Sequence, residues 1–497
     1  MIFTEKYPMK LSFSFLKVLS VSLIIVLVAC KKDAPKNNNN PPVTPITPVT
    51  PVKTDVAMWL TTADRSQLFK KQNTALLFSN SNNTNSTIEI DTTHTYQSID
   101  GFGFCLTGGS ASVINSLGTS AKDALLSELF LTDSTHIGVS YIRISIGASD
   151  MSAAPFTYDD MPTGQLDTAL QNFNIDKEKT DLIPILQKIV ALNPNIRILA
   201  CPWTAPVWMK SNTIGNNGFT GGSLNTGFYA AYAKYFVKYI QAMKALGITI
   251  DAVTPQNEPL NPNNNPSMVM QAAEEANFIK NNLGPQFLAA GITAKIICYD
   301  HNADRPDYPT TVLQDPAANA YVDGSAFHLY GGVISALSSV HDAFPAKNIY
   351  FTEQYTPSTG SFAGDLGWHL NNLIIGATRN WSRNVLEWNL ATDAALGPHT
   401  NGGCSTCLGA LTISPTVTRN QSYYIIAHAS KFVRPGSVRI ASSDLVNTPN
   451  VAFKTPDGKK VLIVLNNTNT DQTFNIKFNG KITTSALSAG SVATYVW

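Results

Sequence analysis

Short apolar runs alternate with longer amphipathic stretches through the middle of the chain. The runs hold five or six mostly β-branched or aromatic residues, which is typical of buried parallel strands. We predict eight such strands, at residues 99–104, 141–146, 197–202, 252–256, 295–299, 325–329, 348–352 and 384–389. Between them, apolar residues recur every three or four positions and predict helices, for example at 120–131, 180–192, 228–246 and 268–283.

This alternation predicts an α/β fold with a parallel sheet and right-handed crossovers, and eight units can close into a (β/α)8 barrel. The alternative is an open, doubly wound sheet. No Gly-x-Gly-x-x-Gly motif opens a helix, and the segment 101–103 lacks the third glycine, so nucleotide binding is not predicted. We assign the barrel to residues 98–420.

Strict alternation of apolar and polar residues replaces the helical pattern near the C-terminus. The segments 460–465 and 473–478, with turns at 456–458 and 479–480, predict an all-β module. Two further strands are predicted before the barrel, at 56–60 and 87–91, and they are too few to fold alone. We therefore expect a discontinuous β-sandwich built from residues 55–97 and 421–497, the latter beginning with the last barrel helix.

The first 30 residues differ in kind from the rest. Three lysines precede an uncharged apolar stretch, 18–29, which predicts a secretory signal. The stretch ends in Leu-Val-Ala-Cys and resembles a lipobox, with Cys30 as the lipidated residue. The alternative is an uncleaved anchor helix, but the apolar run is short for a membrane span of ~20 residues. Residues 31–54, rich in Asn, Pro and Thr, predict an extended linker. We expect an exported protein, anchored only by its lipid to a bacterial outer membrane, on the periplasmic or cell-surface face.

Composition limits the kinds of partner. The chain has 35 Lys and Arg residues against 34 Asp and Glu, and only 14% of its residues are charged. No global field favours nucleic acid or a polyanion, so we expect a neutral partner.

Five cysteines remain beyond Cys30. Two of them, Cys404 and Cys407, could form a short disulfide, half of a zinc site or a redox pair. No second Cys-x-x-Cys or His-rich cluster supplies further zinc ligands. We favour the disulfide and predict no metal ligand.

Two glutamates carry the main chemical signal. Glu258 and Glu353 each end a short apolar run and lie 95 positions apart, or roughly three strand-plus-helix units of about 30 residues. Carboxylates at the tips of parallel strands face the open end of a barrel, and a pair of them suggests hydrolysis of a glycosidic bond. Aromatic platforms and hydrogen-bonding groups suited to sugars stand at or just beyond other strand tips: Arg143, Trp203, His328, Tyr330 and Trp388.

Together these motifs resemble family 30 of the glycoside hydrolases, which are retaining enzymes with a (β/α)8 barrel fused to a β-sandwich. The resemblance runs from about Trp59 to Trp497. It rests on eight segments in the same order: 101–103, 143, 146–150, 202–210, 256–259, 352–353, 388–389 and 430–437.

The resemblance implies roles for the acidic pair and its neighbour. Glu258 would be the general acid/base and Glu353 the nucleophile, with carboxyl groups about 5 to 5.5 Å apart. Asn257 would hydrogen-bond the sugar 2-hydroxyl. No metal or organic cofactor is expected, because two carboxyl groups and water complete the reaction.

The remaining candidates are assigned to substrate binding with alternatives open. Arg143 either pairs with an acidic neighbour or contacts the ligand or the nucleophile. Trp203 and Trp388 are core fillers or cleft walls, and their positions beside Pro and Asn favour the wall. His328 and Tyr330 are expected to support the site rather than to catalyse.

Specificity is less directly encoded, because the family includes glucosylceramidases, β-xylosidases, β-1,6-glucanases and glucuronoxylanases. Relatives that cleave glucosylceramide carry an acidic residue where this chain has Gly108, and its loss suits a more open cleft. The segments 402–407 and 59–64 resemble bacterial members assigned to β-1,6-glucan. We therefore expect an endo-β-1,6-glucanase acting on a β-glucan polysaccharide or oligosaccharide. The alternatives are a glucosylceramidase or other exo-β-glycosidase and, from a different class, a non-catalytic glycan-binding surface lipoprotein.

Overall fold

The structure, a computed structural model, describes residues 52–497. The predicted signal, Cys30 and all but the end of the linker lie outside the described residues. The strands up to the last barrel strand are, in chain order, β1 (Ala57–Thr61), β2 (Lys70–Lys71), β3 (Ser86–Ser98), β4 (Gly101–Cys105), β5 (Tyr141–Ser145), β6 (Arg197–Cys201), β7 (Lys210–Gly215), β8 (Thr220–Leu224), β9 (Ala252–Val253), β10 (Lys295–Ala303), β11 (Val322–Gly332), β12 (Asn348–Glu353), β13 (Thr356–Pro357) and β14 (Ser382–Asn389).

The strands that follow are shorter at first and then lengthen in the C-terminal module: β15 (Ala391–Thr392), β16 (Cys407–Leu408), β17 (Leu411–Ile413), β18 (Val417–Arg419), β19 (Val438–Ser442), β20 (Asn450–Lys454), β21 (Lys460–Leu465), β22 (Gln472–Phe478), β23 (Lys481–Leu487) and β24 (Val492–Val496).

The α-helices are α1 (Gly108–Asn115), α2 (Thr119–Phe130), α3 (Leu182–Leu192), α4 (Tyr229–Ala245), α5 (Ala272–Phe278), α6 (Gly284–Ala289), α7 (Asp307–Gln314), α8 (Pro316–Asn319), α9 (Ala336–Ala343), α10 (Phe362–His369) and α11 (Gln421–Ser430). Two π-helical segments, Ile279–Leu283 and Leu370–Ala377, continue α5 and α10. Short 3-10 turns lie at Asp176–Glu178, Val207–Met209, Asn216–Gly218 and Thr226–Phe228.

Eight strands close the barrel in the order β10-β11-β12-β14-β4-β5-β6-β9. They are the eight strands predicted from the sequence, so the (β/α)8 architecture is confirmed and the open sheet is excluded. The bounds differ most at β11, which extends three residues beyond the prediction at each end, and at β10, which runs four residues further than predicted; β9 is limited to two residues.

The barrel interior is built in layers, because alternate side chains of a strand face the same side. The lower layer is mainly apolar and fully buried: Tyr141, Leu199, Ala252, Ile297, Ala326, Tyr350 and Leu386. A second buried layer, mostly of polar residues, lies two positions further along the chain from six of these residues: Arg143, Cys201, Thr254, His328, Thr352 and Trp388. The apolar layer is thus the floor on which polar side chains are presented at the carboxyl ends of the strands.

The β-sandwich joins strands from both sides of the barrel sequence. Its order is β2-β1-β24-β21-β20-β19-β3-β22-β23, so N-terminal β1 and β3 pair with C-terminal strands. The discontinuous sandwich is therefore confirmed. The turn between β22 and β23 uses Asn479 and Gly480, whose φ angles are both positive at 48° and 76°, as a tight hairpin requires.

The sandwich docks on the last barrel helix, α11. His428 of this helix lies with Nδ1 2.9 Å from Thr494 Oγ1 and Nε2 2.8 Å from Thr61 Oγ1. Burial lowers the pKa of His428 to about 3, so the ring is neutral and one of its nitrogens accepts a hydrogen bond.

Within residues 52–497, no helix has both the length and the apolar character needed to cross a membrane.

Candidate active site

The two glutamates meet at the mouth of the barrel. Glu353 is the last residue of β12, and Glu258 lies five residues beyond β9 with a positive φ of 45°. Their strands are three places apart in the barrel order. An oxygen of each carboxylate lies within 4.8 Å of the other, a separation close to the 5 to 5.5 Å of retaining glycosidases and well short of the ~6.5 to 9.5 Å of inverting ones.

Arg143, buried on β5, connects the nucleophile candidate to its surroundings. Its Nη1 donates to Glu353 Oε2 at 2.6 Å, and its Nη2 donates to Asn257 Oδ1 at 2.6 Å and to Asp300 Oδ2 at 2.8 Å. Both alternatives left open for Arg143 therefore hold in part: it pairs with an acidic neighbour and it contacts Glu353. The guanidinium has no exposed surface, so its contacts are with carboxylates and an amide.

His328, also fully buried, lies among three carboxylates. Its Nδ1 is 3.2 Å from Glu258 Oε1 and 3.8 Å from Glu353 Oε1, and its Nε2 is 3.2 Å from Asp300 Oδ1. Burial lowers the pKa of His328, but the negative charge of Glu353 and hydrogen bonds to Asp300 and Glu258 outweigh it and raise the pKa to about 9. The ring is therefore a cation at neutral pH.

The two glutamates respond differently to this cation in the substrate-free site. Burial raises the pKa of Glu258, but the hydrogen bond and charge of His328, with His301 and Asn261, outweigh it and lower the pKa to about 2. Burial raises the pKa of Glu353, and the positive charges of His328 and Arg143 offset this only in part. The available proton thus resides on His328, next to Glu258.

Asp300 connects the buried polar side chains beneath the two glutamates, and the sequence analysis missed it. Its carboxylate lies within hydrogen-bonding distance of five donors, which are Arg143, Cys201, Thr254, His328 and Thr352. Burial raises its pKa, but Arg143 and His328 hold it well below the usual range. Asp300 is thus a permanent buried anion.

The cleft above these residues has a volume of about 540 Å³ and is lined by both glutamates, Tyr330 and Trp388, among others. Tyr330 donates its hydroxyl to Glu353 Oε1 at 3.0 Å. A larger cavity of about 780 Å³ lies between the β1–β2 hairpin and α11 and contains neither glutamate. The smaller cleft is the functional candidate, because it holds the paired carboxylates.

The two tryptophans are placed differently. Trp388 lines the cleft, whereas Trp203 is only 1% exposed. Trp203 packs between Trp388 and Arg143: the centroids of the two tryptophan rings are 5.4 Å apart, and the Arg143 guanidinium lies 4.8 Å from the centroid of the Trp203 ring. Trp203 therefore acts as a core filler in this structure, and its predicted contact with substrate stays a prediction.

The donor set was also tested for a metal. Glu258, His328 and Glu353 each place one ligand atom within 4.8 Å of the others, which could hold a cation. Arg143 already lies 2.6 Å from Glu353 and would add a fixed positive charge beside such an ion. The arrangement fits an acid–base pair better than a metal centre.

Comparison with known families adds a separate finding. A model described as the glycosyl hydrolase family 30 TIM-barrel domain matches residues 99–433, and one described as the family 30 beta sandwich domain matches residues 436–495. The chain belongs to glycoside hydrolase family 30.

Within this family, the chain is similar to several proteins named as endo-1,6-β-glucanases and, at 30% identity over 76% of each chain, to a putative glucosylceramidase of Caenorhabditis elegans. It is 38% identical to an endo-1,6-β-D-glucanase of Aspergillus fumigatus over 74% of this chain and 78% of that protein. It is 36% identical to an endo-1,6-β-D-glucanase of Trichoderma harzianum over 82% and 85%. Among solved structures, the endo-β1,6-glucanase BT3312 superposes with a TM-score of 0.83 at 37% identity, covering 90% of this chain and 99% of that one.

Gly108, on which the expectation of a more open cleft rests, begins α1. A Cβ atom there would lie 3.1 Å from Ser152 Oγ, so the position is close to the neighbouring loop. The expectation that the missing acidic side chain leaves a more open cleft stays a prediction.

A third carboxyl group, Asp150, also reaches the cleft, and the sequence analysis gave it no role. Burial and the charges of Glu353 and Glu258 raise its pKa to about 7, and hydrogen bonds from the Cys404 backbone and the Asn264 side chain offset this in part. Its Oδ1 is buried without a partner among the described residues. Asp150 and Asp300 share a signal that was available: each is the first acidic residue after a predicted barrel strand.

Proposed function

We propose that this member of family 30 hydrolyses internal β-1,6-glucosidic bonds of a glucan by double displacement, with Glu258 as acid/base and Glu353 as nucleophile. The observation that carries the proposal is the approach of the two carboxylates to within 4.8 Å at the barrel mouth. The activity for which the three relatives above are named supports the β-1,6 linkage.

The contacts of Glu353 suit a nucleophile. Arg143 holds Oε2 and Tyr330 holds Oε1, so the carboxylate is fixed in place beneath the anomeric carbon of a bound sugar. Asn257 presents its side-chain oxygen to Arg143, which leaves the amide nitrogen to donate to the 2-hydroxyl. That contact would strengthen as the oxocarbenium-like transition state develops.

The contacts of Glu258 explain how a carboxyl with a low pKa can act as an acid. Its Oε1 lies 3.2 Å from His328 Nδ1, and transfer of the proton along this contact gives neutral His328 and protonated Glu258 without changing the charge of the site. The pair therefore carries one proton through neutral pH. Donation to the leaving oxygen removes this proton from the pair. Once Glu353 becomes a glycosyl ester its negative charge is lost, which lowers the proton affinity of the pair, so Glu258 stays ionised and can act as the base that takes a proton from the attacking water.

Product analysis tests the function. Purified protein acting on a soluble β-1,6-glucan should release a ladder of oligosaccharides, and proton NMR at early times should show the β-anomer first. Glucose alone would favour the exo-acting alternative. Glucan binding without any turnover would favour the non-catalytic glycan-binding protein.

Two substitutions separate the roles of the glutamates. Glu353→Gln should abolish turnover, whereas Glu258→Gln should slow glucan hydrolysis by roughly 10²- to 10⁴-fold and slow an activated aryl β-gentiobioside far less, since that leaving group needs no proton. Glu387→Gln is the matched control, because Glu387 is a buried glutamate paired with His369 at the end of the neighbouring strand β14 and does not line the cleft. Equal loss in all three variants would refute the assignment.

We also propose that Cys30 is lipidated and that the linker 31–54 holds the enzyme at a bacterial outer membrane, on its periplasmic or cell-surface face. Support comes from the Leu-Val-Ala-Cys motif after the uncharged apolar stretch. Cys30→Ser should move the protein from the detergent phase to the aqueous phase in a partition assay of whole cells. An unchanged distribution would contradict the lipid anchor.

A further inference from the structure

The disulfide loop forms part of the wall of the cleft. Residues 398–407, here called the rim loop, follow β15 and end at β16, and Gly402, Gly403, Cys404 and Cys407 all line the cleft. Cys404 and Cys407 are joined by a disulfide, as the sequence analysis favoured. A short ladder ties the end of the loop to β13, the two-residue strand just past Glu353.

The rim loop is bonded to the segment that carries Asp150. The Thr400 backbone N–H donates to the Asp150 carbonyl at 2.8 Å. A Cβ atom at Gly403 would lie 2.4 Å from the same carbonyl, so the two backbones are in direct contact. The backbone of Asp150, whose side chain reaches the cleft, is thus bonded to the rim loop.

The same loop is bonded to the segment that follows Glu258. The Thr400 hydroxyl donates to the Asn265 carbonyl at 2.5 Å, and the Asn265 amide donates to the Asn401 carbonyl at 2.8 Å. The half-cystine side chains pack in one cluster with Trp388. The rim loop therefore contacts three walls of the cleft.

The disulfide itself contributes little to global stability by the chain-entropy argument. It joins cysteines only three positions apart, and the loop-closure entropy removed from the unfolded chain is least for the shortest loops. Its main effect is local. Gly402, with φ of 80°, and Gly403 restrict the backbone less than other residues do, so the cross-link removes conformational freedom that the loop sequence allows.

We propose that the Cys404–Cys407 disulfide is a positioning device for the substrate: it fixes the rim loop, and through it Asp150 and Trp388, in the conformation that binds glucan. The proposal rests on the proposed function and concerns affinity rather than the chemical step, because neither cysteine touches Glu258 or Glu353. Breaking the link should raise KM and change kcat little.

The test compares the wild type with the double variant Cys404→Ser/Cys407→Ser. We expect KM for a β-1,6-glucan to rise by about tenfold, the equivalent of one lost hydrogen bond to a charged group, with kcat changed by less than about threefold. The melting temperature should stay within a few degrees of the wild type. Cys298→Ser, which removes a buried thiol from β10 outside the cleft, is the control and should leave KM unchanged.

A chemical test on folded wild-type protein does not depend on how the variant folds. A water-soluble phosphine reduces the disulfide to two thiols, with the phosphine oxidised to its oxide and the oxygen and two protons supplied by water. Treatment should raise the KM of the wild type to that of the double variant and leave the variant unaffected.

The outcomes separate this inference from the proposed function. If the wild type hydrolyses the glucan but neither reduction nor substitution raises KM, the positioning role is wrong while the proposed function stands. If kcat and melting temperature fall together with unchanged KM, the disulfide is merely structural and the inference is also wrong. If the wild type shows no turnover, the proposed function fails, and the affinity of glucan for oxidised and reduced protein, measured by calorimetry, decides the inference.

Discussion

Asp300→Asn is the substitution that tests the site most directly. The amide keeps the shape of the carboxylate but cannot serve five donors, since its nitrogen would face a hydrogen-bond donor on one side. Arg143 and His328 would lose a buried anion, and both partners have no exposed surface. Breaking such a buried pair costs about 3 to 5 kcal/mol of unfolding free energy. A misplaced Arg143 and His328 should also lower kcat/KM by about 100-fold.

The assay is denaturation and glucan hydrolysis measured across pH. The pKa of Asp300 in the folded protein lies well below 3.8, so its contribution is fully present above the unfolded value and is lost as pH falls through the folded one. The stability gap between wild type and variant should therefore be widest between pH ~5 and the unfolded His pKa of ~6.5 and narrow below pH ~4. It should narrow again as His328, whose raised pKa depends in part on Asp300, deprotonates towards pH ~9.

Asp251→Asn is the matched control for this change. Asp251 pairs with Arg197 at 2.8 Å at the start of β9, but Arg197 is about half exposed. An exposed pair of this kind contributes about 0 to 1 kcal/mol. If Asp300→Asn costs no more than Asp251→Asn and leaves kcat/KM unchanged, the reasoning about the buried anion is refuted.

Two further predictions concern the neighbours of the glutamates. Tyr330→Phe removes the donor to Glu353 Oε1 and should lower kcat by roughly tenfold, as expected for the loss of one hydrogen bond to a charged group. The circular dichroism spectrum of the variant should match that of the wild type. An unaltered kcat would contradict a role for Tyr330 in holding the nucleophile. His328→Gln should destabilise the protein most below pH 6.5 and progressively less as pH rises through about 9, because the raised pKa of His328 makes its contribution one that is lost on deprotonation. A melting-temperature gap that widens with pH would show that His328 is not the cation of the site.

The barrel could be predicted from the sequence because its signal is local. Each strand is a short apolar run, and the intervening helices repeat at helical spacing, so all eight strands were identified with small errors at their ends. The largest error in a predicted helix has a local cause. The stretch predicted as 268–283 begins as α5 at Ala272, where Gln271 and Glu274 form a capping box, and continues as a π-helix from Ile279.

The contacts among the buried polar residues of the site could not be predicted in the same way, because the residues that contact each other lie far apart in the chain. Arg143 is a polar residue within an apolar strand, and its type alone does not say which carboxylates it meets. Its partners Asp300 and Glu353 are 157 and 210 positions away. Only closure of the barrel brings them together.

Asp300 was missed for a further physical reason, which concerns the geometry of β10. Strict alternation from the inward-facing Ile297 would turn Tyr299 into the barrel and Asp300 out of it. A register shift between Tyr299 and His301, with positive φ at Tyr299 and Asp300, breaks the alternation. Tyr299 instead packs outward in the main core, and Asp300 turns inward to meet Arg143 and His328.

The bulge thereby contributes to the charge of His328. With Asp300 inward, His328 has an anion on its Nε2 side as well as Glu258 on its Nδ1 side, and the ring stays charged in a fully buried position. With Tyr299 inward, that anion would be absent, and only Glu353 and Glu258 would offset the effect of burial on the pKa of His328. The local departure from strand geometry is therefore part of the acid–base chemistry, and it accounts for a carboxylate that no periodicity in the sequence indicates.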